Sequence, residues 1–214
     1  MVFIPNAVSS TEARRRPTVP RYETFTLTYT GSLYLGRSPE PVFKAVARLV
    51  AEQRIRPEAV RVLLVGQCDT IEGVPTVQVA RQYGLERQVE IRGAVPYEQA
   101  IEMVSRSHLA LLFAPDLPFQ IPAKVYDYLA TGARILAIAD DGGTADLVRD
   151  TGCGRAFSTH DVDAIAEFIE SEMHRERDVE GEDAPWLARF DLQTLTAELV
   201  EHMSRVGTEA EVAG

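Results

Sequence analysis

Cysteine is scarce in this sequence: Cys68 and Cys153 are the only two among 214 residues. They stand far apart and outside any metal-ligand spacing. The four histidines, His108, His160, His174 and His202, contain no i, i+4 pair that one face of a helix would bring together. A zinc centre is therefore not expected, and no metal is called for. Neither thiol has a neighbouring histidine or other thiolate stabiliser in sequence, so both read as small buried side chains rather than nucleophiles. Positive charge is short as well. Lysine and arginine number 22 against 32 aspartates and glutamates, a formal net charge of −10. That balance disfavours a phosphate-tracking surface and argues against nucleic acid as a partner. It does not exclude a small anion, which a few local cations and helix N–H groups can hold on an acidic protein. No apolar run reaches membrane-spanning length, and residues 1–5 are too short and uncharged for a signal peptide, so the expected location is cytoplasmic.

What is present is an ordinary globular composition, 45% hydrophobic and 25% charged, long enough for one large domain or at most two small ones. Residues 1–24 read as an entry or linker segment, with Pro5, Pro17, Pro20 and the basic triplet Arg14, Arg15 and Arg16. From Phe25 onward, apolar strands and amphipathic helices alternate. Strands are expected at 25–30, 62–65, 89–91, 109–113 and 134–139, with a last short one at 156–157. Helices are expected from the prolines Pro39 and Pro41, where Val42, Val46, Leu49 and Val50 share a face, and at 77–83, 97–105, 123–130, 145–149 and 161–173. A charged connector spans 175–183, and an amphipathic helix at 192–206 carries Leu192, Leu195, Leu199 and Met203. The single domain thus covers 25–206, and 207–214 is expected to be a disordered tail.

Repeated β–α units with continuous apolar strands imply an α/β fold: a parallel sheet with helices on both faces. Ligands on such sheets sit beyond the carboxyl ends of the strands, which singles out four loops. In the first, Gly31 and Ser32 follow a strand directly and Arg37 could reach a phosphate; a plain loop with a surface arginine is the alternative. In the second, Ile121 and Pro122 lead into a helix on which Lys124 and Asp127 lie three apart. Lysine and exposed N–H groups suit a diphosphate and the carboxylate suits ribose hydroxyls; an ordinary surface ion pair is the alternative. The third is the turn Gly93, Ala94 and Val95, suited to a flat base. The fourth, residues 140–144, places glycines before a helix start. Either of these last two reads equally as turn chemistry. His108, at the head of an apolar strand, reads as structural. Trp186, with Pro185 and Phe190, is expected to pack the last helix onto the domain.

In order, the segments FIPNAV (3–8), YTGSLYLGR (29–37), VRVLLVGQ (60–67), VEIRGAVPYEQAIEMVSRSHLALLF (89–113), IPAKVYDYLATGARILAI (121–138) and GTADLVRDTGCGRAF (143–157) resemble the C-terminal, donor-binding domain of GT-B-fold retaining glycosyltransferases of the family-4, group-1 type. The resemblance runs from Val2 to about Phe168. It implies a Rossmann-like domain that binds a nucleotide-diphosphate sugar, on UDP or GDP, and transfers the sugar without a metal or other cofactor. Arg37 and Lys124 would act on the diphosphate as the catalytic cations, and Gly31 and Ser32 would line it. Gly93, Ala94 and Val95 would frame the base, and Asp127 would hold the ribose. The acceptor would be held by an N-terminal GT-B domain that has no counterpart here. A hexosyltransferase-like enzyme, inactive as this isolated domain, is the implied activity, with membrane association only through the missing half.

The chain departs from that family's pattern at three places. Ser32 stands where many members carry arginine, Asp127 replaces glutamate, and Phe119 occupies the place of the first acid of a spaced acidic pair. Asp116 is the carboxylate that could substitute. These departures keep a second reading open, a non-catalytic α/β interaction module that has lost donor binding. A nicotinamide-dependent oxidoreductase would need a glycine-rich fingerprint that is lacking.

Overall fold

The computed structural model describes residues 4–8, 19–34, 36–175 and 189–212, with side chains of the last helix described to Arg205. Six parallel strands form the sheet: β1 (Phe25–Ser32), β2 (Val60–Gln67), β5 (Val89–Arg92), β6 (Leu109–Phe113), β7 (Arg134–Ile138) and β8 (Gly154–Phe157). Their order across the sheet is β5-β2-β1-β6-β7-β8. The helices between them are α1 (Glu40–Ala51), α2 (Thr76–Gln82), α3 (Tyr97–Ser105), α4 (Lys124–Thr131), α5 (Gly143–Thr151) and α6 (Val162–Met173), and α7 (Leu192–Val212) closes the chain. The expected parallel α/β architecture is what forms.

Strand periodicity sorts the side chains into two layers. On β6, Leu109, Leu111 and Phe113 join a core with α1 and α6, which includes Phe25, Leu27, Tyr29, Val46, Leu49, Ile165 and Ile169. Ala110 and Leu112 face the other way, into a core with α4 and α5 that holds Tyr126, Tyr128, Leu129, Leu147 and Val148. All five residues of β6 are buried. A strand covered on both faces has no polar side to show, so its sequence reads as an unbroken apolar run.

Several expectations need revision. A two-stranded antiparallel hairpin, β3 (Thr70–Ile71) with β4 (Val74–Pro75), interrupts the chain before α2; two-residue strands carry no hydrophobic period to read. Helix α5 starts at Gly143 rather than Ala145 and runs to Thr151. Helix α7 continues past Val206 to Val212, so the tail expected from Gly207 is helical over that stretch. The entry segment is not merely a linker. Val8 exchanges backbone hydrogen bonds with the chain at Phe190 and Leu192 (2.8 and 2.9 Å) and is buried in the second core. The Tyr22 ring lies between the Arg61 and Arg106 guanidiniums, 4.4 and 4.6 Å from its centroid. The Arg14–Arg16 triplet, residues 176–183 of the connector, Pro185 and Trp186 lie outside the described residues. Phe190 is described, edge-on to Tyr126 at 5.3 Å.

Candidate functional site

The strand order places a crevice before any side chain is considered. From β1 the chain moves to β2 on one side, and from β6 to β7 on the other, so the two neighbouring strands send their loops in opposite directions. The carboxyl ends of β1 and β6 therefore part, and this is the switch point where ligands of open parallel sheets sit. Register shows the parting directly. Strands β1 and β6 pair only at Leu27 with Leu109 and Thr28 with Ala110. Thr26 accepts the His108 amide at 2.9 Å, so at period two the backbone of Thr30 faces the same side, where β6 has turned away.

Two side chains of α4 take over the bonds that β6 no longer makes. The Thr30 N–H donates to the Tyr128 hydroxyl oxygen at 3.2 Å, and its side-chain hydroxyl lies 3.0 Å from the same oxygen. The Thr30 carbonyl accepts from Lys124 Nζ at 2.5 Å. Lys124 thus lies across the mouth of the crevice, its ammonium 4.3 Å from the centroid of the Tyr29 ring. Tyr29 is in turn stacked on Phe113 at 4.7 Å and donates to the Ser32 carbonyl at 2.8 Å. Burial, helped by the nearby Arg37 charge, pulls the Lys124 pKa down to about 8. The φ of +131° at Gly31 favours glycine here, and a Cβ would displace the Lys124 ammonium from its place.

Arg37 rests on the Tyr34 ring, 4.3 Å from its centroid, and its charge is among the causes that lower the Lys124 pKa. At the start of α4, the Val125 amide is taken by Pro122 O at 3.0 Å. The Ala123 and Lys124 amides meet no acceptor among the described residues. Two cations and two open amides therefore share the β1–α4 end of the crevice.

The remaining expected residues divide. Ser32 donates to Gln67 Oε1 at 3.2 Å and lines a hollow of about 350 Å³ with Tyr34, Asp69 and Thr70. Gly93 and Ala94 are exposed and Val95 is half-buried, immediately before α3. Asp127 does not pair with Lys124; its Oδ1 accepts instead from the Tyr97 hydroxyl at 2.6 Å. Ile121 packs its side chain against the start of α5 at Gly143 and the second core. The fourth loop serves the fold: Gly143 N donates to Pro118 O at 2.8 Å, Thr144 Oγ1 to Gln120 O at 2.9 Å, and the Asp116 amide to Asp140 Oδ2 at 3.2 Å. These bonds hold the β6–α4 loop and use the N-terminal amide of α5 that an anion would need. Phe119 projects fully from that loop, 97% exposed. A hollow of about 870 Å³ lies beyond it past β7 and β8, lined by Asp116, Asp140, Asp141, Arg149, Arg155 and Asp161. It holds none of the residues that converge on Thr30.

Tyr29, Tyr97 and Tyr128 are the residues that sequence reasoning missed. Their apolar neighbours made Tyr29 and Tyr128 look like plain core, and the only signal was three tyrosines close to strand or helix ends. His108 is structural, as expected: its Nδ1 accepts the Thr26 amide at 3.1 Å, and burial lowers its pKa to about 4. Cys68 is buried, with its thiol pushed up to about 12, far from a thiolate. Among the described residues no cluster of His, Cys, Asp or Glu could hold a metal ion, and no helix is long and apolar enough to cross a membrane.

Comparison with known proteins agrees with this fold. Among solved structures, the lipopolysaccharide outer core galactosyltransferase WaaB matches with a TM-score of 0.71 and 16% identity, over 95% of this chain and 55% of its own. A glycosyltransferase from Rickettsia africae matches with a TM-score of 0.71 and 13% identity, over 96% and 57%. HepE from Anabaena, solved in complex with UDP-glucose, gives 0.64 and 20%, over 85% and 49%. At such identities the likeness is one of fold, and this chain spans about half the length of each of these structures. Among curated proteins none matches. The family described as "Glycosyl transferases group 1" matches residues 10–182, most of the sequence. The chain belongs to the group 1 glycosyl transferases and has the architecture of the C-terminal half of a GT-B fold.

Proposed function

We propose that this chain is the donor-binding half of a glycosyltransferase, holding a nucleotide-diphosphate sugar for transfer to an acceptor on a separate N-terminal domain. The observation that carries the proposal is the treatment of Thr30 at the switch point. Its backbone groups are satisfied by α4 rather than β6, which leaves a crevice with Lys124, Arg37 and the Ala123 and Lys124 amides at its mouth. In the reaction the bond from the anomeric carbon to the diphosphate breaks, and negative charge grows on the departing nucleotide. Fixed cations and amides in a poorly solvated crevice stabilise that charge more in the transition state than in the ground state. Lys124 supplies the nearest charge, and Arg37 adds a forked donor. Asp127 would accept from the ribose, and the exposed Gly93 and Ala94 backbone would lie along the base. UDP-glucose bound to the similarly folded HepE supports a uridine donor, with guanosine as the second candidate.

Calorimetric titration with UDP and with GDP tests this reading. Heat from one of them, lost in Lys124→Ala by about tenfold or more in affinity, is the expected result. The chain alone should bind donor without transferring sugar, since the groups that orient an acceptor would belong to the other half. A second reading, an interaction module, is favoured by one observation: the bare Phe119 side chain at the place of an acid. No heat with either nucleotide would decide for the module.

A further inference from the structure

Of the 22 lysines and arginines in this chain only two are lysines, Lys44 and Lys124. Every other one is an arginine, which keeps its proton at physiological pH and offers no nucleophile. Lys44 is exposed and pairs with Glu40 at 3.1 Å, one turn away on α1. Lys124 is the opposite case. It is half-buried at the crevice mouth and pairs with no carboxylate among the described residues. The Thr30 carbonyl accepts from its Nζ at 2.5 Å, and the Tyr29 ring lies against it at 4.3 Å. Arg37, whose charge acts on Lys124, rests on the Tyr34 ring and is likewise unpaired with any carboxylate among the described residues. A chain of net charge −10 thus leaves these two cations without a counter-ion from its own described acids.

We propose that Lys124 is an acylation site for small acyl phosphates, whose phosphate docks on Arg37 and whose acyl group passes to the Lys124 amine, closing the crevice to nucleotide. The inference rests on the reading of the crevice as an anion site and adds a covalent chemistry that sugar transfer does not use. An ammonium has three N–H groups. The Thr30 carbonyl takes one and the face of the Tyr29 ring a second. Loss of a proton turns the remaining position into a lone pair, while both anchors still hold the nitrogen as a donor. Gly31 sets no side chain beside that nitrogen, where a Cβ would collide with it. Burial and the Arg37 charge favour the neutral amine, with a pKa of about 8. About a quarter of the side chain is then neutral at pH 7.5, against about one in a thousand for an ordinary lysine. Tyr29, Tyr128 and Cys68, the other titratable groups around it, stay uncharged there, since burial raises the pKa of each. The lone pair attacks the carbonyl carbon of the acyl phosphate. A C–N bond forms, the C–O bond to the phosphate breaks, inorganic phosphate leaves with that electron pair, and one amine proton passes to water. Arg37 keeps its own proton and holds the charge of the departing phosphate. The product is a neutral amide. The crevice loses a charge that faces the diphosphate and gains an acyl group in its place.

In the experiment the intact chain is incubated with acetyl phosphate at pH 7.5, and peptide mass spectrometry follows acetylation at Lys124, with Lys44 as internal control. Lys124 is expected to react at least about tenfold faster than Lys44, with a rate that saturates in acetyl phosphate. Whichever of UDP and GDP binds better should protect Lys124 and not Lys44. Acetic anhydride acetylates the same amine but carries no phosphate. Arg37→Ala should therefore slow acetylation of Lys124 by acetyl phosphate about tenfold and leave the anhydride reaction within about threefold. The acetylated chain should bind the nucleotide at least about tenfold more weakly by calorimetry. Equal rates at the two lysines, or an Arg37→Ala variant acetylated by acetyl phosphate as fast as the wild type, overturns the inference; nucleotide binding by the unmodified chain then still stands. Acetylation of Lys124 that depends on Arg37 and is blocked by inorganic pyrophosphate, in a chain that binds neither UDP nor GDP, keeps the acylation site and refutes the donor reading instead.

Discussion

Lys124 bears two demands at once. Its ammonium is held by the Thr30 carbonyl and the Tyr29 ring while burial and Arg37 lower its pKa to about 8, from 10.5 in water. In the free chain the folded state therefore binds fewer protons than the unfolded state between about pH 8 and 10.5. This group's contribution to stability rises with pH across that window and is least below it. A bound diphosphate reverses the preference, because an anion beside the ammonium favours the protonated form. Nucleotide binding should take up a proton above pH 8 and weaken by up to about tenfold per pH unit there. Calorimetry at several pH values, in buffers of different ionisation enthalpy, measures both. A constant affinity from pH 7 to 9.5 would show that Lys124 does not touch the ligand. His108 behaves differently. Its folded pKa, about 4, lies below the ordinary 6.5, so the stability it lends is full above pH 6.5 and lost as pH falls toward 4. The loss is on the order of 1–3 kcal/mol. His108→Asn should flatten that acid limb in denaturant titrations at pH 4 to 7.

Among the elements, the β6–α4 loop has the most exacting support. Gly142, at φ +147°, lets Pro118 lie on the start of α5; a Cβ there would stand 2.6 Å from Pro118 Cα and 2.9 Å from its carbonyl carbon. Both neighbours are backbone and cannot step aside. Gly142→Ala should destabilise the chain by at least about 2 kcal/mol and, by shifting the loop that leads into α4, weaken nucleotide binding as well. Thermal unfolding and calorimetry on the same protein separate the two effects. An unchanged melting temperature would mean that the loop does not depend on this contact. How legible the loop was follows from the same physics. Glycines before a helix in 140–144 are visible in sequence, but whether they receive a ligand or a neighbouring loop depends on a segment some twenty residues away, Pro118 to Gln120.

At the scale of the molecule, α7 is joined to the rest chiefly at its beginning. Val8 and Phe190 fix its start and Leu195 is buried, whereas Leu192, Leu199, Val200 and Met203 are exposed at 44–66%. Leu195→Ala should therefore cost about 2–3 kcal/mol, and Met203→Lys no more than about 0.5. Chemical denaturation of the two variants tests the asymmetry. A costly Met203→Lys would show that the outer face of α7 is covered in solution. The heptad-like spacing of these residues announced a helix and an apolar stripe. It did not announce that one residue of the stripe would be buried and the others bare.

By itself the sequence determined the α/β alternation, the continuous apolar strands and the loops at their carboxyl ends. Those features rest on local periodicity and on glycine and proline, which act within a few residues. It also pointed to Lys124, Asp127, Gly31 and Arg37 as a group, because each follows a strand. Only the tertiary structure decided what these residues do to one another. The order β5-β2-β1-β6-β7-β8 opens β1 from β6, and that opening turns Lys124 onto Thr30 and away from Asp127. Asp127 then meets Tyr97, thirty positions back in the chain. Pairings across that separation are set by strand order and helix packing, which no short window of residues encodes.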